Sequence, residues 1–317
     1  MISSFKARTV SVVFGRGACL TTGEKAKELG ITKALCFHGK SVQKAGIANK
    51  IINSLQEAGI DVLDSDVSMS DTPDTIVNET AAMAKEAGVN GIVAVGGGSA
   101  LDAAKAINVL MGNEPPINKY FGSFPTKPGV PLILIPTTSG TGSEVTSVAV
   151  VTNTANNTKN GVVGAATTAN LAIVDPELTL GMPPELTAVS GIDAFSHAVE
   201  AYTSLRMNPM SDILAEKTIA LILKNLPLAI ADGSNLTVRT NMSFAALLGG
   251  TAFSDATVHL GHSIAHTLGA AYHLAHGIGC AVALPPVVEF VATAVPEKVI
   301  GLGKLMGLTD LEKLSTA

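Results

Sequence analysis

Asp193 and His197 lie four residues apart in Gly191-Ile-Asp-Ala-Phe-Ser-His-Ala-Val-Glu200. In a helix that spacing puts both side chains on one face, where they can grip the same ion. Farther along, Gly261-His-Ser-Ile-Ala-His-Thr-Leu-Gly-Ala-Ala-Tyr-His-Leu-Ala-His-Gly277 supplies His262, His266 and His276. Asp193, His197, His262 and His276 make a ligand set of one carboxylate and three imidazoles. Without a thiolate it suits Fe(II), with Zn(II) as the alternative, better than Mg(II) or Cu(I). An ion so held stays Lewis acidic enough to bind an alcohol oxygen and make the adjacent C–H a hydride donor. His266, one helical turn from His262, is either a packing residue or an imidazole that faces a nicotinamide or passes a proton to solvent. Glu200 reads as a carboxylate that supports a ligand or the fold. His38, His259 and His273 stay unassigned, because a single histidine is as often a core or surface residue. Cys19, Cys36 and Cys280 show no metal-ligand spacing and read as reduced structural cysteines.

A second chemistry lies upstream. Gly96-Gly-Gly-Ser-Ala-Leu-Asp-Ala-Ala-Lys105 follows an expected strand and opens an expected helix. Bare N–H groups and the positive helix end can hold a pyrophosphate there, and glycines let it approach. Asp102 and Lys105 lie on that helix, and either could be a surface charge. Pro136-Thr-Thr-Ser-Gly-Thr-Gly-Ser-Glu144 follows another strand and offers hydroxyls to a nucleotide. Two such loops at the C-terminal ends of strands in one sheet favour a dinucleotide crevice over two capped turns.

The elements that must position these groups form an α/β chain, with an N-terminal Rossmann-like parallel sheet domain and an all-helical C-terminal domain. Strands are expected at Val10–Phe14, Ala34–Phe37, Gly91–Val95, Pro131–Pro136 and Leu171–Asp175, and helices over Val42–Ala58 and about Thr75–Glu86. A hairpin should pair Val148–Thr152 with Gly161–Gly164 across a polar loop, Asn153–Asn160. After Pro183-Pro184 only helices are expected: Leu186–Ser204, Pro209–Leu226, Val238–Ala252, Leu260–Leu274 and Gly279–Ala294. The boundary therefore falls near Gly181, giving a dinucleotide-binding domain over 1–180 and a metal-binding domain over 181–317.

At 317 residues, 47% hydrophobic and 15% charged, the chain can bury two cores. A net charge of −5 without basic runs argues against nucleic acid as a partner. The most apolar stretch, Ala281–Val295, contains Pro285-Pro286 and Glu289, so no membrane span is expected. The start, Met1-Ile-Ser-Ser-Phe-Lys-Ala-Arg8, lacks a signal-peptide core, which makes cytoplasmic location the expectation.

In this order, Gly96-Gly-Gly-Ser with Asp102, the Pro136–Glu144 loop, Gly191-x-Asp-x-x-x-His-Ala-x-Glu200 and the His262/His266/His276 cluster closely resemble the iron-containing (group III) alcohol dehydrogenase family. The resemblance spans nearly the whole chain. It implies a dehydroquinate synthase-like architecture, a catalytic Fe(II) in the cleft between two domains and a homodimer. It also implies Asp193, His197, His262 and His276 as ligands, with His266 beside the nicotinamide. Gly97, Gly98, Ser99, Thr137, Thr138 and Thr141 would hold the dinucleotide, and Lys159, in the hairpin loop, and Leu178 match further cofactor positions. Where NAD-preferring relatives carry an Asp after the second strand, this chain has Gly39, followed by Lys40. A 2′-phosphate is then not repelled, which leaves NAD and NADP both open. Ser70-Asp-Thr-Pro73 replaces the usual Asn-Pro-Thr, and family chains usually continue through several more helices than this sequence, which stops at Lys313-Leu-Ser-Thr-Ala317, so the helical domain is expected to lack its C-terminal helices.

The function implied is transfer of hydride between NAD(P) and a small primary alcohol or diol, or the reverse reduction of an aldehyde. A lyase of the dehydroquinate synthase kind would need several basic residues for a carboxylated, phosphorylated substrate, and the segments around the metal motifs are poor in Lys and Arg. A non-catalytic metal- or nucleotide-binding subunit is the third reading.

Overall fold

Short runs of Val, Ile, Leu and Ala in the first half fold as strands, and the amphipathic stretches between them fold as helices. The structure, a computed structural model, describes residues 5, 10–123, 125, 127–272 and 274–309. His273, most of the N-terminal stretch before Val10 and the C-terminal stretch ending at Lys313–Ala317 lie outside the described residues.

The strands are β1 (Ser11–Phe14), β2 (Lys33–His38), β3 (Asp61–Ser65), β4 (Gly91–Gly96), β5 (Leu132–Pro136), β6 (Val148–Asn153), β7 (Thr158–Val163) and β8 (Leu171–Val174). Six of them form one sheet in the order β1-β8-β5-β4-β2-β3, with every pairing parallel. Every residue of β4, β5 and β8 is buried, which explains their unbroken apolar sequences. β3 has no counterpart among the strands expected from sequence. It lies at the sheet edge, and its Asp61 and Asp64 hide the apolar signal.

In chain order the sheet grows outward from β2 to β3, then β4 returns to the other side of β2. The switch point between β2 and β4 is where an open parallel sheet opens a crevice at its C-terminal edge. β6 and β7 form a separate antiparallel ribbon. Its pairing runs from Val148↔Val163 to Asn153↔Thr158, so Asn153 and Thr158–Asn160 belong to strands instead of to the expected loop. Their polar side chains suit an exposed ribbon.

The helices of this half are α1 (Thr22–Glu28), α2 (Lys40–Lys44), α3 (Ile47–Glu57), α4 (Asp74–Glu86) and α5 (Gly98–Gly112). The single helix expected over Val42–Ala58 is two, because Gly46 takes a left-handed conformation (φ 72°) between them. The remainder is helical: α6 (Pro184–Thr203), α7 (Pro209–Ala231), α8 (Leu236–Ala256), α9 (Leu260–Tyr272), α10 (His276–Ala292) and α11 (Pro296–Leu305). α7 continues through Pro227, past its expected end at Leu226, and α10 contains Pro285 and Pro286. α11 is an additional element.

The chain divides into two compact units. Among the described residues, one comprises those of 10–138 with Ser143–Gly181, and the other those of 182–309 with Ser139–Gly142. The first has a core of Ile51, Leu55, Val93, Val95, Ile133 and Ile173 on one side of its sheet. The second is built around α6, α7 and α8, with Ala198, Ile219, Ile222, Met242 and Ala245 at its centre. No helix among the described residues is long and apolar enough to cross a membrane.

Candidate metal centre and dinucleotide loops

Within the helical unit, α6 presents Asp193, His197 and Glu200, all buried. Glu200 is fully buried, and its carboxylate accepts hydrogen bonds from the backbone N–H groups of His259 (3.0 Å), Gly261 (2.8 Å) and His262 (3.1 Å). These are amides at the start of α9, which have no partner within the helix, and a carboxylate there also complements the helix dipole. The same carboxylate is hydrogen-bonded to His262 Nδ1, leaving Nε2 to face Asp193. Glu200 thus fixes both the helix that carries His262 and the orientation of its ring. His259 sits in the same network, with Nδ1 3.1 Å from Glu200 and Nε2 3.0 Å from Thr203 Oγ1.

Two glycines allow the approach. A Cβ on Gly261 would come 3.0 Å from the Glu200 carboxyl carbon, and one on Gly277 only 2.1 Å from the carbonyl oxygen of Val189. Each glycine adjoins a histidine of the cluster, so backbone contact sets the positions of His262 and His276.

Asp193 Oδ1 lies 3.6 Å from His262 Nε2, 3.5 Å from His276 Nε2 and 3.8 Å from His197 Nε2. The structure therefore gathers all four expected ligands around one carboxylate oxygen. Cys280 joins them: its Sγ is 3.7 Å from Asp193 Oδ1, 3.8 Å from His262 Nε2 and 3.6 Å from His276 Nε2. Donor atoms of Asp193, His262, His276 and Cys280 all lie within 4.8 Å of one another. Cys280 is buried and free, and its sulfur borders the cluster. His276 and Cys280 are an i, i+4 pair on α10, a spacing obscured when the helix is taken to begin at Gly279. Cys19 and Cys36 are buried and free, as expected.

His197 is stacked between Phe253, 4.2 Å away, and His262, 4.5 Å away. Its Nδ1 is buried without a hydrogen-bond partner among the described residues. His266, half-buried, stacks on His276 with ring centres 5.0 Å apart, so it borders the cluster.

The electrostatics favour a cation. Burial works to raise the Asp193 carboxyl, yet the imidazoles of His197, His262 and His276 hold it well below the usual carboxylate range. Burial drives His197 down to about 3, against the pull of Asp193. His262 goes the other way: despite burial, hydrogen bonds to Asp193, Cys280 and Glu200 raise it well above an ordinary histidine. A place that draws a proton between two buried carboxylates is one where a positive ion is stabilised. The donor chemistry fits a divalent transition metal.

In the α/β unit, the proposed cofactor residues of that unit sit at or just beyond the C-terminal ends of β2, β4, β5 and β8, apart from Lys159. Gly96 ends β4, and a Cβ there would come 2.7 Å from Ala100 Cβ; Gly97 then caps α5 without a side-chain hydrogen bond. Gly98 and Ser99 begin α5, leaving first-turn amides for an anion. Thr137 N–H donates to Gly96 O (2.9 Å), and Thr138 is the nearest neighbour a Gly97 side chain would meet. Thr141 belongs to Ser139–Gly142, which packs in the helical unit: Ser139 Oγ is 3.0 Å from Ser243 Oγ.

Gly39 caps α2 directly after β2. Leu178 is buried in the sheet's core. Lys159 is on β7, not in the loop, with Nζ 2.7 Å from Asp71. Asp102 and Lys105 are not surface charges. Lys105 is fully buried and bonds Thr146 Oγ1 and Val148 O, while Asp102 accepts from Ser143 Oγ and Val150 N–H. They tie α5 to the ribbon. His38, also fully buried, bonds Asp64 across β2 and β3 (2.8 Å).

The chain matches known proteins along most of its length. The family profile described as iron-containing alcohol dehydrogenase matches residues 9–176, and that of the Fe-containing alcohol dehydrogenase family, C-terminal, matches 187–317. The chain is 40% identical over 309 residues to 1,3-propanediol dehydrogenase of Klebsiella pneumoniae, covering 96% of this chain and 80% of that protein. It is 38% identical over 306 residues to the NAD-dependent methanol dehydrogenase of Bacillus methanolicus, with the same coverage. The crystal structure of a 1,3-propanediol oxidoreductase superposes with a TM-score of 0.93 at 38% identity, over 98% of this chain and 81% of that one.

Proposed function

The chain belongs to the iron-containing alcohol dehydrogenase family, and from that premise we propose that it transfers hydride between NAD(P) and a small primary alcohol or diol, in either direction. The observation that carries the reading is the convergence of Asp193, His262 and His276 on one point, with His197 against the same carboxylate. A divalent ion there, ferrous by family and zinc by the same donor chemistry, would supply Lewis acidity toward a substrate oxygen.

This chain's own residues do the rest. Asp193, His197, His262 and His276 hold the ion, and Glu200 fixes the ring of His262. His266 borders the cluster and is half-buried, so it is the candidate to carry the alcohol proton to solvent. Gly97, Gly98, Ser99, Thr137, Thr138 and Thr141 receive the dinucleotide phosphates and nicotinamide-side ribose. Lys159 and Leu178 contribute at its margins. Gly39 presents no carboxylate to repel a 2′-phosphate, and Lys40 beside it is exposed, so NADP is accepted as well as NAD. The 1–180 segment thus serves the cofactor and 181–317 the metal, in a homodimer.

The test is anaerobic purification with added Fe(II), followed by assay of butanol, propanediol and the matching aldehydes with both nicotinamides. Turnover with at least one pair is expected. Full metal content with no change in nicotinamide absorbance across the panel would instead indicate a binding subunit.

A further inference from the structure

We propose that Asp71 opposes dinucleotide binding: its carboxylate holds the Lys159 ammonium that a dinucleotide phosphate must take over. The proposal rests on the reading of Lys159 as a cofactor residue and adds the group that competes with the cofactor for it. The Asn-Pro-Thr usual in the family is uncharged, whereas Ser70-Asp-Thr-Pro73 brings a carboxylate to this turn.

The turn that presents Asp71 is strained. Asp71 and Thr72 both take left-handed backbone conformations, with φ 64° and 46°. Glycine, asparagine and aspartate tolerate that region, but a β-branched threonine is rarely found there. Such conformations persist where the surroundings over-determine them, and they gather at functional sites. Here the surroundings are specific. Thr72 Oγ1 donates to Ser99 O (3.0 Å), Thr152 N–H donates to Thr72 O (3.0 Å), and Thr152 Oγ1 donates to the carbonyl of Asp71. Thr152 and Lys159 are paired across the β6–β7 ribbon. One member of that pair therefore holds the backbone of Asp71, and the other holds its carboxylate, with Nζ 2.7 Å away.

These bonds also tie the turn to the dinucleotide loop, because Ser99 lies in the first turn of α5, whose amides suit a phosphate. The Asp71 side chain is 63% exposed, and an ion pair so exposed adds little to the fold. Stability alone therefore does not account for a strained turn that aims a carboxylate at Lys159. Beside a bound pyrophosphate, that carboxylate repels the ligand and offsets the attraction of the ammonium. Both effects weaken binding and hasten cofactor release.

Fluorescence titration of the metal-loaded protein with NADH tests this. Asp71→Asn removes the charge and keeps a residue that tolerates the left-handed backbone. NADH should then bind about two- to fivefold more tightly, the range that an exposed charge pair supplies, with melting temperature unchanged. The gain should disappear at about 1 M salt, where the screening length is about 3 Å. Asp71→Gly, equally suited to positive φ, should shift affinity in the same direction. Lys159→Met should weaken NADH binding. If NADH binds no more tightly to either Asp71 variant while Lys159→Met weakens it, the role of Asp71 is overturned and Lys159 remains a cofactor residue. Unchanged binding in Lys159→Met overturns both.

Discussion

Glu200 carries more of the centre than its position outside the ligand set suggests. It closes the first turn of α9 and holds the ring of His262, from a fully buried position. Glu200→Ala leaves several buried donors unpaired and should cost about 3–5 kcal/mol of stability in denaturant unfolding. Glu200→Gln, which keeps two of the backbone contacts, should cost clearly less; equal losses would argue against capping. In His262→Ala, metal content and turnover should fall together, and metal retained at full stoichiometry would remove His262 from the ligands. At this scale the sequence was informative wherever spacing carried the chemistry. Asp193/His197 was legible from i, i+4 alone, and the clustering of His262 with His276 from composition. Cys280 was not, because its signal depends on where α10 begins. Nor was the burial of Lys105, since its partners Thr146 and Val148 are 41 and 43 residues away.

Elements place these residues through close backbone contact. Gly277 lies in the first turn of α10 against the carbonyl of Val189 on α6, where a methyl group has no room. Gly277→Ala should cost about 1–3 kcal/mol by overpacking and displace His276, lowering metal content as well as melting temperature. An unchanged melting temperature would mean that the helices separate freely. Gly96→Ala strikes Ala100 at the first turn of α5 and should weaken NADH binding in a fluorescence titration while sparing metal content. Equal loss of both would point to global damage. Apolar strands buried on both faces, β4, β5 and β8, were readable because nothing polar interrupts them. The edge strand β3 was not, because Asp61 and Asp64 break its apolar run, nor was the split at Gly46, a left-handed glycine inside an apolar-periodic stretch, nor the passage of α7 through Pro227, where the helix continues against proline's local preference.

For the whole molecule, the metal-free centre makes stability depend on pH. His197 is neutral in the fold down to about 3, but takes up a proton near 6.5 when unfolded. Its contribution is fully present above about pH 6.5 and is lost progressively as pH falls toward 3. His262, raised in the fold, works in the opposite sense, so the two must be separated by comparison. His197→Phe preserves the stack on Phe253 and removes the titration. Relative to wild type, metal-free His197→Phe should gain stability between about pH 7 and about pH 5. A difference independent of pH would show that His197 is not held neutral by burial.

Metal removal and return tests the account most directly. Dialysis against a chelator, then stepwise addition of Fe(II) or Zn(II) under anaerobic conditions, allows metal per chain and nicotinamide-linked turnover to be measured on the same sample. Turnover is predicted to vanish with the metal and return in proportion to it, saturating at one ion per chain. Turnover that survives complete removal of the metal would contradict the assignment of Asp193, His197, His262 and His276 as the seat of the reaction.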